Sequence, residues 1–259
     1  MKTIPSSRLF TIFFFSLVGL LACHSTLRSA AAEQQDLSPN QRWMDAVNGG
    51  SWEDVYTEQA IHINADGSVI NGREEIIELI KQQDWHINSI ATTQTATTHR
   101  DSSFQYGLGR FYTQGGQMYQ HLLIWNLEGE IPMRELEMIV KADEFDQTIL
   151  DQINQRRTEW IELCNQHNAK HLVEELYSED AIYYNHKPII RGREAITADY
   201  QYMNRPQYNL LLTPIIISAV NEQLVYEIGQ CSGSYGGKYI LVWEKETDGK
   251  WYISMDANL

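Results

Sequence analysis

Four histidines of this sequence are considered first, because their side chains can transfer protons or bind a metal ion. His62 and His121 lie in two separate segments rich in β-branched and aromatic residues, and imidazole serves both as an acid/base group and as a metal ligand. His167 and His171 have the spacing of ligands on one helix face, but Asn168 between them is a typical helix start, so we interpret them as surface residues. Neither pair has a clear third ligand, and we therefore expect no metal site and no bound cofactor.

The elements that would position such residues occur twice in the chain. Residues 56–76 read YTEQAIHINADGSVINGREEI, and residues 177–196 read YSEDAIYYNHKPIIRGREAI. In each copy a tyrosine and a short strand precede G-R-E, which opens a helix predicted over 73–82 in the first copy and 193–202 in the second. Duplication at this spacing predicts two similar domains.

Helix signals precede both copies. Ser38 is a predicted N-cap with proline at N1 and Gln41 as its capping-box partner, and Asp146 is the corresponding cap of a longer helix in the second copy. A second short helix is predicted to follow in each copy, capped by Ser51 and by Asn168.

Three strand-like segments end each copy, and turn signals separate them. The turns occupy equivalent places in the two copies: Gly115-Gly116 and Glu128-Gly129 in the first, Gly236-Gly237 and Asp248-Gly249 in the second. This pattern predicts an α+β class with an antiparallel meander, in one domain over 38–141 and another over 146–259.

The order of the elements, with the motifs Y-x-E-x-A-I, G-R-E-x-I, L-V-W-E-K and D-G-K-W-Y-I, resembles the NTF2-like superfamily, particularly its SnoaL-like and DUF4440-type bacterial members. The resemblance covers nearly all of the second copy. The first copy departs at its end, where E-G-E-I-P stands in place of D-G-K-W. The resemblance implies two tandem cone-shaped domains, each a curved, mostly antiparallel sheet covered by three helices around a blind apolar cavity.

Strand alternation assigns side chains to the implied cavities. The resemblance implies that Trp43 and Asn64 in the first copy, and Trp160 and Asn185 in the second, contact a ligand. Alternation adds Trp125 in the first copy, and Tyr183, Tyr239 and Trp243 in the second. Weaker catalytic candidates are His62, His121 and Asp256. The tyrosines and tryptophans of the second copy could equally be plain core residues.

The resemblance also points to the ketosteroid isomerases, which use a carboxylate base and a neutral acid. Asn185 and Leu241 occupy those places in the second copy, and Asn64 and Leu123 occupy them in the first. An amide cannot remove a proton from a carbon acid, and leucine cannot stabilise an enolate. Steroid-type isomerisation is therefore disfavoured in both copies.

The first residues have the composition of an export signal. Residues 1–22 contain two basic residues followed by an apolar run that is too short for a stable membrane span. Leu20-Leu21-Ala22-Cys23 resembles a bacterial lipobox, which implies lipidation of Cys23, a tether over 23–37 and an exported protein anchored in the cell envelope or periplasm. A plain cleaved signal is the alternative.

Charge and cysteine usage limit the partners. The formal net charge is −14, and removal of residues 1–22 makes it −16, so we expect no nucleic-acid binding and membrane contact through the lipid alone. Cys164 and Cys231 could form a disulfide in an oxidising compartment, although two buried thiols are the preferred interpretation.

Three classes of function remain open at this stage. The first is a lipid-anchored protein that binds a small apolar or aromatic molecule without catalysis. The second is a SnoaL-like isomerase, dehydratase or hydrolase that uses His62 with His121, or Asp256. The third is a structural module in which the sheet faces pack domain against domain or form a homodimer.

Overall fold

The computed structural model describes residues 37–97, 103–143, 148–185 and 188–259. Leu37–Leu259 forms one compact unit. The predicted signal, the lipidation residue Cys23 and the predicted cap Asp146 lie outside the described residues. Within the described ranges, no helix combines the length and the apolar character needed to cross a membrane.

The first repeat, residues 38–141, contains two α-helices and six strands among its described residues. Their order is α1 (Pro39–Val47), β1 (Tyr56–Ile63), β2 (Val69–Asn71), α2 (Arg73–Gln82), β3 (Ile87–Thr97), β4 (Phe104–Thr113), β5 (Met118–Asn126) and β6 (Met133–Lys141). The capping box that the sequence predicts is present, because Ser38 Oγ accepts from Gln41 N and Gln41 Oε1 accepts from Ser38 N.

The second repeat, residues 148–259, has the same strands and one more α-helix. Its order is α3 (Thr148–Asn165), α4 (Ala169–Leu176), β7 (Tyr177–Tyr184), β8 (Ile190–Arg191), α5 (Arg193–Asp199), a 3₁₀ helix (Tyr200–Asn204), β9 (Leu210–Asn221), β10 (Leu224–Gly233), β11 (Lys238–Lys245) and β12 (Trp251–Ala257). Asn168 caps α4 as predicted by accepting from His171 N.

The two sheets have the same strand order when the sequences of the two repeats are aligned. They run β2-β1-β6-β5-β4-β3 and β8-β7-β12-β11-β10-β9, and the only parallel pairs given by the described residues are β1 with β6 and β7 with β12. Two tandem α+β units with mixed, mostly antiparallel sheets are thus present, which confirms the predicted fold class.

The prediction of three helices in each repeat is wrong for the first. The segment after Ser51 is a turn, in which Glu53 N donates to Ser51 Oγ and Asp54 has a positive φ of 58°. Tyr56 follows Asn48 by eight positions, whereas Tyr177 follows Asn165 by twelve. The difference is about one helical turn, so the first repeat has too few residues for a counterpart of α4.

Alternation along the strands directs side chains to two different cores. Tyr239, Leu241 and Trp243 of β11 join the cluster beneath the helices of the second repeat. Ile240 and Val242, between them, point to the opposite face. That face carries a buried cluster to which both sheets contribute, including Leu122, Ile124 and Leu136 of the first repeat and Tyr226, Ile240 and Val242 of the second. The helix-covered interior of each repeat is therefore separate from the core that the sheets share.

Candidate functional site

Each repeat places one carboxylate at the end of the same chain of hydrogen bonds. In the first repeat, Trp43 Nε1 donates to Tyr56 Oη over 2.7 Å, and Tyr56 Oη donates to Glu137 Oε1 over 3.0 Å. In the second, Trp160 Nε1 donates to Tyr177 Oη over 3.1 Å, and Tyr177 Oη donates to Asp256 Oδ2 over 2.7 Å.

Sheet register shows that the two carboxylates are equivalent. On the parallel strand pairs, Glu137 stands opposite His62 and Asp256 stands opposite Tyr183. Both tyrosines of the hydrogen-bond chains begin their strands, in the repeated Y-x-E-x-A-I motif. The two sites thus have a common plan, and their differences come from the residues around the carboxylate.

In the first repeat, basic groups neutralise the carboxylate. Arg134 Nη1 donates to Glu137 Oε2 over 2.6 Å, and His62 Nδ1 lies 2.9 Å from Glu137 Oε1. Burial alone would raise the pKa of Glu137, but the hydrogen bond from His62 and the charge of Arg134 outweigh it and lower the pKa to about 2. Glu137 is consequently ionised at any physiological pH.

Arginine and aromatic rings fill the interior around this carboxylate. The guanidinium carbon of Arg134 lies 4.1 Å from the centroid of the Trp43 ring, and Phe111 packs against the same ring at 5.2 Å. His121 is fully buried beside them, and burial lowers its pKa well below the usual value, so it is neutral. Neither ring nitrogen of His121 has a hydrogen-bond partner among the described residues. His121 therefore packs against aromatic rings and has no described partner for proton transfer.

The other predicted ligand-binding residues of the first repeat lie elsewhere. Asn64 Nδ2 donates to Ser68 Oγ in the exposed turn before β2, so it does not join the buried ring cluster. Trp125 is buried against Gly107, where any side chain larger than hydrogen would overlap its ring. The structure does not bring Trp43, Asn64 and Trp125 together as the walls of one cavity.

The second repeat contains a cavity of about 340 Å³ beneath its helices. Four predicted residues line it: Trp160, Asn185, Tyr239 and Asp256. The other lining residues are Tyr200, Tyr202, Met203, Tyr208, Leu210, Leu212, Cys231, Ser234, Tyr235, Leu241 and Asn258. Most of this wall is aromatic or aliphatic, with a few polar groups, as is usual for a small-molecule site.

Tyr183 and Trp243 lie behind the lining and support it. Tyr183 Oη donates to Asn258 Oδ1 over 2.8 Å and accepts from Asn185 Nδ2 over 3.0 Å, so it holds two amides at the cavity. Trp243 Nε1 donates to Glu227 Oε2 over 2.9 Å. Tyr183 and Trp243 were predicted as ligand contacts, but they hydrogen-bond to neighbouring residues and do not line the cavity.

Asp256 is the carboxylate of this cavity and has no basic neighbour in the described structure. Tyr177 and Tyr200 both donate to its Oδ2. The position that Arg134 occupies in the first repeat, opposite the motif tyrosine, is taken in the second by Ile253. Burial raises the pKa of Asp256 to about 6, although the two tyrosine hydrogen bonds act to lower it. Asp256 therefore changes protonation state near physiological pH, unlike Glu137.

A second buried carboxylate, Glu227, stabilises the far wall. Arg157 of α3 donates to both of its oxygens, and Tyr239 Oη donates to Glu227 Oε1 over 2.6 Å. Because Arg157 balances the charge of Glu227, this pair fixes the Tyr239 ring without leaving an uncompensated charge. Neither Arg157 nor Glu227 was predicted from the sequence as a site residue.

Metal and disulfide chemistry find no support in the described part of the chain. No group of three or more histidine, cysteine, aspartate or glutamate side chains there is arranged to hold a metal ion. Cys164 and Cys231 are buried and unpaired. Burial raises the pKa of both thiols, that of Cys164 to about 12, so neither is a reactive thiolate.

Comparison with known proteins identifies structural likenesses only. No family model matches the chain, and no curated protein matches it. An NTF-2-like protein of unknown function from Shewanella oneidensis is 20% identical, covers 42% of this chain and 98% of its own, and has a TM-score of 0.38. A conserved protein from Planctomyces limnophilus is 18% identical over 44% of this chain and 97% of its own, with a TM-score of 0.38. A domain of unknown function with a cystatin-like fold from Nostoc punctiforme is 17% identical. The match covers 44% of this chain and 78% of that domain's own chain, with a TM-score of 0.38.

Proposed function

We propose that the second repeat binds a small organic molecule with an apolar or aromatic body in its cavity. The observation that carries this proposal is the partly open cavity of about 340 Å³ between aromatic walls and a buried carboxylate. The equivalent interior of the first repeat contains Arg134 and packed rings, which suits a supporting rather than a binding role.

Burial of the ligand supplies most of the binding free energy in this proposal. A ligand that loses about 100 Å² of apolar surface gains roughly 2.5 kcal/mol from burial. The rings of Tyr202 and Tyr208 already contact each other edge to face at a centroid distance of 5.4 Å, so part of the wall is formed before a ligand arrives. Asn185, Asn258 and Ser234 provide hydrogen-bonding groups that orient the ligand.

Filling the cavity tests this proposal. Leu212→Trp places an indole in the lining, whereas Leu211→Trp places the same ring on the opposite side of β9, where Leu211 is 50% exposed. We expect 2-naphthol, titrated by isothermal calorimetry, to bind the wild type and Leu211→Trp equally and to bind Leu212→Trp at least tenfold more weakly. Equal affinity for all three proteins, or no binding to the wild type, would contradict the proposal.

Proton transfer by Asp256 is a second candidate function. A carboxyl group with a pKa of about 6 at the wall of a cavity can donate or accept a proton near neutral pH, and the tyrosine donors hold it in place. This candidate corresponds to the SnoaL-like enzyme alternative. The histidine alternative receives less support, because His62 is engaged with Glu137 and His121 is enclosed.

We also propose that the chain is an exported lipoprotein of the SnoaL-like or DUF4440 type, with the domain limits 38–141 and 146–259. The support is the apolar run that ends at Cys23, together with the repeated motifs. We expect Cys23→Ser to release the protein from the membrane fraction and to abolish labelling by a fatty-acid analogue, with Cys164→Ser as the matched control. Membrane association that persists in Cys23→Ser would exclude the lipid anchor.

A further inference from the structure

Among the residues that the structure describes, the lining of the second-repeat cavity carries one acidic side chain and no basic one. Asp256 is 3% exposed, and no lysine, arginine or histidine stands among the described residues that line the space. The hydroxyl groups of Tyr177 and Tyr200 both donate to Asp256 Oδ2, and no described residue donates to Asp256 Oδ1. A carboxylate with one oxygen that receives no hydrogen bond from the described residues favours a hydrogen-bond donor, and a positively charged one most strongly.

The first repeat shows how the same frame accommodates a cation. There the Arg134 guanidinium bonds to Glu137 and lies over the Trp43 ring. The second repeat keeps the equivalent carboxylate and tryptophan, Asp256 and Trp160, but has Ile253 at the position of the arginine. Trp160 and Asp256 both line the cavity, and no described basic residue bonds to Asp256, so this carboxylate lacks the protein cation that Glu137 has.

We infer that the cavity takes a small organic cation, an amine or guanidinium compound whose charged group is bound by Asp256 Oδ1 against the aromatic wall. This inference rests on the proposed function of the cavity. Tyrosine and tryptophan faces attract cations through their ring quadrupoles, and the rings of Tyr202, Tyr208 and Trp160 stand in the same lining as the carboxylate. The acidic net charge of −14 favours the approach of a cation.

Other ionisable groups near Asp256 do not compete for this role. Among the described residues, the titratable groups that interact electrostatically with Asp256 are Tyr106, Tyr177, Tyr183, Tyr200, Tyr202 and Cys231. Burial raises the pKa of each, so they are neutral. The nearby charged pair, Arg157 with Glu227, is internally balanced. On α4, which also packs on β12, the charged residues Lys170, Glu174 and Glu175 and the titratable His171 are exposed. A cationic ligand therefore meets Asp256 as its counter-ion.

Three probes with a similar benzene-ring body and different charge test the inference: benzylamine, benzyl alcohol and benzoate. At pH 8 we expect calorimetry to show benzylamine binding at least tenfold more tightly than benzyl alcohol, with benzoate weakest. Asp256→Asn should lower the affinity for benzylamine at least tenfold and leave that for benzyl alcohol within about threefold. Asp199→Asn removes an exposed carboxylate outside the lining and should change neither affinity.

The outcomes separate this inference from the proposed function. Equal affinities for benzylamine and benzyl alcohol, both lost in Leu212→Trp, would overturn the cation assignment and keep the cavity as a binding site. Absence of binding by all three probes would overturn the cation assignment, and absence of 2-naphthol binding as well would overturn both. If Asp199→Asn lowers the affinity for benzylamine as much as Asp256→Asn does, the preference for the cation comes from long-range attraction by the net charge, and the assignment of Asp256 is overturned.

A second variant keeps the test decisive where Asp256→Asn fails to fold, as thermal unfolding would reveal. Tyr200→Phe removes one donor to Asp256 and should raise the pKa of that carboxyl group. The pH at which benzylamine binding falls to half should then move upward by at least half a unit relative to the wild type. An unchanged midpoint would overturn the assignment of Asp256 as the counter-ion.

Discussion

Arg134→Ile is expected to lower the free energy of unfolding by about 3–5 kcal/mol at pH 7, the usual cost of removing one partner of a buried ion pair. The substitution copies into the first repeat the residue type that the second repeat has at the same register position, Ile253. Arg134 is 1% exposed and Glu137 is fully buried, so loss of the guanidinium leaves a buried carboxylate without its charged hydrogen-bond partner. His62 Nδ1 remains 2.9 Å from Glu137 Oε1, so the carboxylate keeps one hydrogen-bond partner of the two basic side chains.

Urea denaturation of three variants checks this prediction. Arg110→Ile is the matched control, because Arg110 is exposed on β4 and its loss should change stability by no more than about 0.5 kcal/mol. The double variant Arg134→Ile/Glu137→Leu should recover much of the stability, since an apolar pair of similar volume can replace a buried ion pair. A loss below about 1 kcal/mol in Arg134→Ile would show that the ion pair does not neutralise Glu137.

The two equivalent carboxylates are expected to give stability opposite dependences on pH. Glu137 has its pKa lowered from 4.5 to about 2, so its contribution is present above pH 4.5 and is lost as the pH falls through 2. Asp256 has its pKa raised from 3.8 to about 6, so the folded state holds a proton that the unfolded state releases, and stability is lost as the pH rises from about 4 to 6. Shifts of this size correspond to about 3 kcal/mol each.

Chemical denaturation between pH 3 and pH 8 separates the two contributions. The wild type should be most stable near pH 4 to 5 with respect to these two groups. Asp256→Asn should remove the decline between pH 4 and 6, and Glu137→Gln should remove the decline on the acid side. A wild-type profile that rises continuously to pH 7, and that Asp256→Asn leaves unchanged, would contradict the raised pKa of Asp256.

Local sequence signals were sufficient to predict the elements but not the helix count. Ser38 with Gln41, the cap Asn168 and the turn glycines act within a few residues, so they could be identified directly. The missing helix after Ser51 reflects the four residues by which that segment is shorter than its counterpart in the second repeat. Counting the spacing from Asn48 to Tyr56 would have revealed the difference.

The candidate site was predicted only in part, because its geometry depends on strand register. Trp160, Asn185, Tyr239 and Asp256 were placed near a cavity by the resemblance and by alternation, and they do line it. The carboxylate of the first repeat was missed, since Glu137 follows the segment in which E-G-E-I-P departs from the motif of the second copy.

The two motif tyrosines show a different limit of sequence reasoning. Tyr56 and Tyr177 were interpreted as marks of the repeat, whereas each donates to a carboxylate about 80 residues away in the chain. Parallel pairing of β1 with β6, and of β7 with β12, produces these contacts. No local pattern encodes a pairing at that separation.

A crystal structure of the protein grown with benzylamine tests the central claim most directly. The account predicts density for the ligand inside the second-repeat cavity, with its nitrogen about 3 Å from Asp256 Oδ1 and its ring against the tyrosines, while Arg134 and Glu137 keep their contact in the first repeat. Ligand density outside that cavity, or tyrosine rings that close the cavity around Asp256 and leave no space for the ligand, would contradict the account.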